Sequence, residues 1–523
     1  MATLIELRDL PNAPFVLAGR VVTMNAASDV HPEGRVCIAG SNIAYVGKTP
    51  ADIPPDFRDA EVIETSGTIL PGLIELHNHL PYNMLPLWNV PRAYTNRNIW
   101  RLEEPRYNPD VAWPAKILAQ NPDKDYPRAI ARFVECRSLL GGVTTGEGIT
   151  VSNKTGAVNY YQGLVRNVEA PEDSGWPTGV GHTLDYKPEE IATQLWPDLQ
   201  KTRAFFYHLS EGTDDDARQR FLDLDLGDKW AINANLVAIH CTALRAEHFA
   251  RLKASAGAVW SPLSNFLLYG GTTDVAAAKQ EGMSIALGSD WSPSGSKNPM
   301  GELKIAKIVS DHLGGLFSTE ELVRMVTSTP ARMTQWEKWI GSVESGKKAD
   351  LLVIDGDEGD PYEQLIDAHE NDILLVFIDG RARLGRKELV TYDPSQQEIV
   401  TVAGRDFVLD LNESTGTPLN GMSLSTAVAK LSYGLAHMPE LGKAFPKNLE
   451  HALAFAPEAT WGLELDYQEP RSATKALLAA DNPIDPSQLY PMELPPLTEA
   501  DDPDFRPALK TNVNIPEYLR DAL

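Results

Sequence analysis

Eight apolar, strand-like runs follow one another between residues 72 and 290, each separated from the next by a stretch of helical or loop character: GLIELH, GVTTGE, LVRNVE, TGVGHTL, AFFYHL, NLVAIH, GAVWSP and SIALGSD. Runs that are apolar throughout, rather than at alternate positions, suit strands buried on both faces. Strands that alternate with helices pair in parallel. The count of eight predicts an α/β fold with a (β/α)8, TIM-like barrel over residues 70–342.

The texture changes on either side of this region. Residues 15–69 read as short strands, FVLAGRVVTM, RVCIAG, NIAYVG and AEVIET, broken by Gly, Asp and Pro turns. Strands return near residue 343 as ADLLVID and ILLVFIDGRARL. Residues 1–69 and 343–400 are therefore expected to pair into one composite β domain. The remainder, 401–523, holds the helix-like MSLSTAVAKLSYGLAHM and a Pro-rich acidic end. It reads as an extension, a cap or an oligomerisation element, without chemistry of its own.

Composition narrows the functional classes. A net charge of −25 over 523 residues, with no basic patch to oppose it, argues against nucleic-acid or anionic-membrane partners. Three widely spaced cysteines suggest neither a disulfide framework nor a cysteine metal cluster. The opening MATLIELRDLPNAPF lacks the apolar core of a secretory signal, and no run is long enough to span a bilayer. A cytoplasmic protein acting on a small molecule is the expectation, with a homo-oligomer the open alternative to a monomer.

The chemistry gathers at the ends of the apolar runs. His77 and His79 are two apart, so in extended chain their rings share one face and can address one metal. Among 11 histidines such a pair arises by chance in roughly one sequence of this length in four or five, so it carries little alone. Three later runs end alike: AFFYHLSE at His208 with Glu211 three residues on, LVAIH at His240, and SIALGSD at Asp290. The C-terminal ends of barrel strands are where such folds place catalytic groups, and four such ends in a row make coincidence a poor account. His31, His248, His312, His369, His437 and His451 lie outside these ends and read as surface or structural. His182, inside a barrel run, is a candidate for lining a substrate pocket.

Several pieces taken in order, PGLIELHNH, GVTTGEG (142–148), HLSEG (208–212), AIHCTAL (238–244), SPLSN (261–265), LGSD (287–290) and GKKADLLVID (346–355), resemble the amidohydrolase superfamily over residues 15–385. The resemblance implies a barrel with a small β sandwich built from both flanks. The spacing of His208 and Glu211 is similar to the single-metal deaminase and chlorohydrolase branch. It implies one divalent metal, zinc or iron, held by His77, His79, His208 and Asp290, with Glu211, His240 and Asp290 in catalysis. Glu147 either supports a second metal or is a loop carboxylate.

The segment after His79 is long and aromatic, with Tyr82, Trp88, Tyr94, Trp100, Tyr107 and Trp113. It reads as a lid for a planar ring or as packing that holds the lid to the barrel. Trp88, Trp100, His182 and Asn265 are the candidate substrate contacts. Arg92, Arg97 and Arg101 either bind a carboxylate or balance Glu103 and Glu104. The expected reaction is hydrolysis of a C–N bond in a small cyclic or aromatic nitrogen compound, by deamination or amide-type cleavage. The alternative is a non-catalytic binding or scaffold protein on the same barrel, which the full set of ligand residues disfavours.

Overall fold

The computed structural model describes residues 14–153, 158–171, 175–413, 419, 421–445, 461–467 and 484–523. His451 and the first thirteen residues, on which the leader argument rests, lie outside the described residues.

Each of the eight apolar runs contains a strand. Gly179–His182, Ala204–Leu209, Leu236–His240, Gly257–Trp260 and Ile285–Leu287 form a five-stranded sheet, parallel at every pairing. Leu73–Glu75, Val143–Gly146 and Arg166–Asn167 form a second parallel sheet. Every residue of Ala204–Leu209 and Leu236–His240 is buried, as the unbroken apolar runs require. Hydrogen bonds also link the outer strands of the two sheets. Gly179 N donates to the Val168 carbonyl at 2.8 Å on one side. On the other, Asp290 N donates to the His77 carbonyl at 2.9 Å and His79 N to the Asp290 carbonyl at 2.6 Å.

The flanks make one nine-stranded sheet. Its order runs Gln397–Val402, Arg405–Asp410, Arg381–Arg386, Ile373–Ile378, Leu351–Asp355, Glu61–Pro71, Phe15–Val22, Val30–Ala39, Asn42–Gly47. The seam between the two ends of the chain is the antiparallel pair Leu70 and Leu352. The sheet is continuous, and its halves share a core of Leu17, Ile38, Val353 and Phe377. It runs past residue 400 because Arg405–Asp410 pairs with Arg381–Arg386 and buries Phe407 and Val408 there.

The C-terminal extension closes over the parallel strands. Helix Leu424–Ala436, capped by the Ser423 hydroxyl on Thr426 N, lies against Asp125–Leu140, where Lys430 meets Asp123 at 2.6 Å. Strand Trp461–Leu463 pairs antiparallel with Thr150–Asn153 and so brings residues 461–467 to the strand ends that carry the histidines. Lys297, buried, holds the last segment through Asp502 at 2.7 Å and the Pro496 carbonyl. Among the described residues no helix is long and apolar enough to cross a membrane. All three cysteines are buried and free.

Candidate metal centre and active site

Three strand ends deliver four side chains to one point. His77 Nε2 lies 3.1 Å from His208 Nε2, and His79 Nε2 lies 3.2 Å from the same atom. Asp290 Oδ1 is 3.5 Å from His77 Nε2 and 3.4 Å from His79 Nε2. Ligands about 2.0–2.1 Å from a tetrahedral metal stand about 3.3 Å apart, so these separations are those of a metal's coordination shell. Packing three ring nitrogens and a carboxylate oxygen together out of water has little to recommend it otherwise. Asp290 Oδ1 and His208 Nδ1 are buried without a hydrogen-bond partner among the described residues. The donor set therefore fits a divalent cation.

Neighbouring groups set the tautomers. His79 Nδ1 faces Asp466 Oδ2 at 2.8 Å; a carboxylate only accepts, so Nδ1 carries the proton and Nε2 keeps its lone pair for a metal. Burial alone would lower the basicity of His79, but the hydrogen bond and charge of Asp466 raise it, with help from Asp290 and Glu211. His77 and His208 are held well below the usual imidazole range, by burial first and by neighbouring rings second, so both are neutral donors. Burial likewise raises the Asp290 carboxyl, whose Oδ2 accepts from Ser264 Oγ at 2.5 Å.

His240 stands beside the cluster. Trp260 Nε1 donates to Thr272 Oγ1, and the Asn265 amide nitrogen donates to Thr272 and Thr273. That leaves Asn265 Oδ1 as acceptor for His240 Nδ1 at 3.0 Å. His240 Nε2 is buried, unpaired among the described residues, and 3.7 Å from Glu211 Oε1. Glu211 is fixed at both oxygens, by Tyr269 Oη at 2.6 Å and Arg97 Nη1 at 3.0 Å.

The backbone bears the cost of this convergence. Ser210, His240, Cys241 and Asp290, all at the strand ends of the site, adopt left-handed φ between 54° and 65°, a conformation unfavourable for residues with a Cβ. Gly288 lets the strands approach, since a Cβ there would fall 2.5 Å from that of His77.

The other candidates fall in different places. Asn265 orients His240. Trp100 is fully buried, donates to Tyr269 Oη at 2.9 Å, and sits among Trp291, Tyr107 and Tyr467. Trp88 packs against Tyr94 and donates to Asp110. His182 stacks on Tyr186 at 4.0 Å, and burial with the Arg97 charge pushes it down to about 4. Arg97 does not balance Glu103 or Glu104; its partners are Asp185 and Glu211, because the helix Arg97–Leu102 turns it inward. Glu147 accepts from Asn78 N at 3.3 Å, and burial with Glu169 and Asp466 raises it well above the usual range.

Residues 401–523, expected to carry no chemistry, place Asp466 and Tyr467 against His79. Besides Asp466 at His79, Tyr467 lies 4.6 Å, ring to ring, from His79 and 5.0 Å from Trp291. The signal was present as the alternation in LELDY, where Leu463, Leu465 and Tyr467 are buried.

Comparison with known proteins agrees with this arrangement. The amidohydrolase family profile matches residues 201–383. A 5-methylthioadenosine/S-adenosylhomocysteine deaminase of Symbiobacterium thermophilum is 26% identical over 410 residues, covering 69% of this chain and 91% of that protein. An adenosine deaminase from Xanthomonas campestris with bound zinc superposes with a TM-score of 0.52 at 19% identity, over 73% of this chain and 95% of the other. The atrazine chlorohydrolase of Arthrobacter aurescens, complexed with zinc, gives 0.57 at 17% identity over 80% and 99%. Residues 201–383 thus carry an amidohydrolase-family domain, and similarity to deaminases of that kind runs along some seven-tenths of the chain.

Proposed function

We propose that this protein is a metal-dependent hydrolase that cleaves a C–N bond in a small cyclic or aromatic nitrogen compound, with deamination the foremost reaction. The observation that carries the reading is the convergence of His77, His79, His208 and Asp290 on one point, with Glu211 and His240 beside it. On this reading the two parallel sheets are arcs of one (β/α)8 barrel, closed by the hydrogen bonds at Val168 and Asp290. The nine-stranded sheet is then the flanking β domain, assembled from both sides of the barrel.

His77, His79, His208 and Asp290 would hold one divalent ion, zinc or alternatively iron. Such an ion, when bound, lowers the pKa of water enough to supply a nucleophile near neutral pH. Glu211, its carboxylate aimed by Tyr269 and Arg97, takes a proton from the attacking water and delivers it to the departing nitrogen. His240 Nδ1 donates to Asn265 Oδ1, which turns Nε2 toward the site, where it orients the water. The rings of Trp100, Trp291, Tyr82 and Tyr467 supply faces for a planar substrate and exclude bulk water.

The test is a zinc-loaded preparation incubated with adenosine, methylthioadenosine, S-adenosylhomocysteine, atrazine and a pool of N-acyl and carbamate compounds, followed by mass spectrometry. Replacement of an amino group by oxygen is the expected product. Glu211→Gln should keep its zinc and lose about 10²–10⁴-fold in turnover, the usual contribution of a general acid/base. A fully active variant would remove Glu211 from the mechanism, and a protein inert toward the entire set would overturn the reaction class.

A further inference from the structure

Residues 461–467 come from the far end of the chain, well outside the amidohydrolase match at 201–383, yet they touch the metal-facing histidines. Asp466 and His79 are 387 residues apart in sequence and 2.8 Å apart in space. The contact is not an accident of a loose surface acid. His79 is 3% exposed and Asp466 is about one-third exposed, so the carboxylate keeps water on one side and spends the other on the ring.

The position of Asp466 is over-determined. Strand Trp461–Leu463 is pinned to Thr150–Asn153 by backbone pairing, with Leu463 opposite Val151, and Glu464 N donates to the Thr150 carbonyl. Leu465 is buried behind Asp466, and Tyr467 ahead of it is locked among Tyr82, Trp100 and Trp291. Arg101 reaches the Tyr467 carbonyl at 3.4 Å. The carboxylate is therefore held between a paired strand and an anchored aromatic ring, the rigid support that a group must have if it is to orient a ligand.

We infer that the C-terminal extension completes the metal centre, with Asp466 as the positioning residue that holds His79 in the tautomer and orientation needed to ligate. The inference rests on the metal-site reading above. The chemistry is specific to this one ligand. His77 has a serine hydroxyl at Nδ1, His208 has no partner there among the described residues, and His79 has a carboxylate. A carboxylate on the far nitrogen both fixes the ring and raises the donor strength of Nε2, and loss of such a partner weakens metal binding by about 10–100-fold. His79 is thus the ligand whose strength depends on the extension, so the extension and the barrel are one functional unit.

The experiment measures zinc affinity by chelator competition, and zinc stoichiometry, on the full-length chain and on Asp466→Ala and Asp466→Asn, each checked for folding by metal-free thermal melting. Asp466→Ala should bind zinc about 10–100-fold more weakly at unchanged stoichiometry of one, and should alter the absorption of the cobalt-substituted protein. Asp466→Asn, whose amide oxygen can still accept from Nδ1, should recover part of the loss. Zinc affinity within twofold of wild type in Asp466→Ala would overturn the inference. So would a fall in stoichiometry from two ions to one, which would make Asp466 a ligand of a second ion beside Glu147 and Glu169. Tyr467→Ala, which removes the anchor without touching the carboxylate, should weaken zinc binding as well, while Tyr467→Phe should not. None of these readouts needs a substrate, so the inference fails or stands apart from the reaction class.

Discussion

The two ends of the parallel strands each bury a cluster of polar side chains and finish it in opposite ways. At their N-terminal ends, Arg166 meets Asp350 through Nε at 2.6 Å and Nη2 at 3.3 Å, Asp379 N donates to the same carboxylate at 2.8 Å, and Arg166 reaches Asp379 as well. Arg and Asp350 are almost fully buried, and both oxygens of Asp350 are used. At the C-terminal ends, His208 Nδ1, His240 Nε2, Asp290 Oδ1 and Tyr467 Oη are equally buried and unpaired among the described residues. Burial of a polar group is costly unless it is hydrogen-bonded, so the satisfied Arg166–Asp350 pair is explained by folding alone and the unsatisfied histidine cluster is not. What separates the Arg166–Asp350 pair from the histidine cluster is the unfinished hydrogen bonding of the cluster; left-handed φ does not, since Asp379 shares it with Ser210, His240, Cys241 and Asp290.

That difference is sharpest when one charge is removed from each end. Asp290→Asn should cut turnover by about a thousandfold or more, within the range a proton-handling group contributes, and should release zinc into a chelator assay. Because burial already disfavours its ionised form, the metal-free variant should melt no lower than metal-free wild type. Asp350→Asn should do the reverse. It leaves buried Arg166 with Asp379 as its remaining carboxylate partner and should cost up to about 3–5 kcal/mol in denaturant unfolding, while zinc affinity in the protein that remains folded is unchanged. If Asp290→Asn destabilised the metal-free protein as much as Asp350→Asn, the contrast between the two ends would collapse.

The same contrast explains what could be read from the sequence. His77, His79, His208, His240 and Asp290 were legible because each terminates an apolar run, and strand periodicity together with strand polarity places such termini at one end of a parallel sheet. Seven strands of the nine-stranded sheet were legible from the turn residues that bracket them, whereas Gln397–Val402 and Arg405–Asp410, at and beyond the expected bound of 400, were not. Contacts made across the chain were not. Arg97 lies near Glu103 and Glu104 in sequence, but its partner Glu211 is 114 residues away. Tyr269 reaches Glu211 from 58 residues away, and Asp466 reaches His79 from 387. Local pattern fixes which face a residue lies on; it carries no information on which distant side chain shares that face, and an acid in an acidic tail looks like every other.

Tyr467 allows the finest cut, because a single oxygen can be removed without disturbing the ring. Its hydroxyl is buried, has no partner among the described residues, and feels the charges of Asp290 and Glu211. A hydroxyl in that position either is dead weight in the packing or waits for a substrate atom. Tyr467→Phe keeps the contacts with His79, Trp100 and Trp291 and takes away the donor. If the donor binds substrate, kcat/KM should fall by about tenfold, the worth of one hydrogen bond, with zinc affinity unchanged. Melting temperature should hold or rise, since an unsatisfied buried hydroxyl has been removed. Equal kcat/KM in the two proteins would make Tyr467 a packing residue whose part in the site is confined to anchoring Asp466.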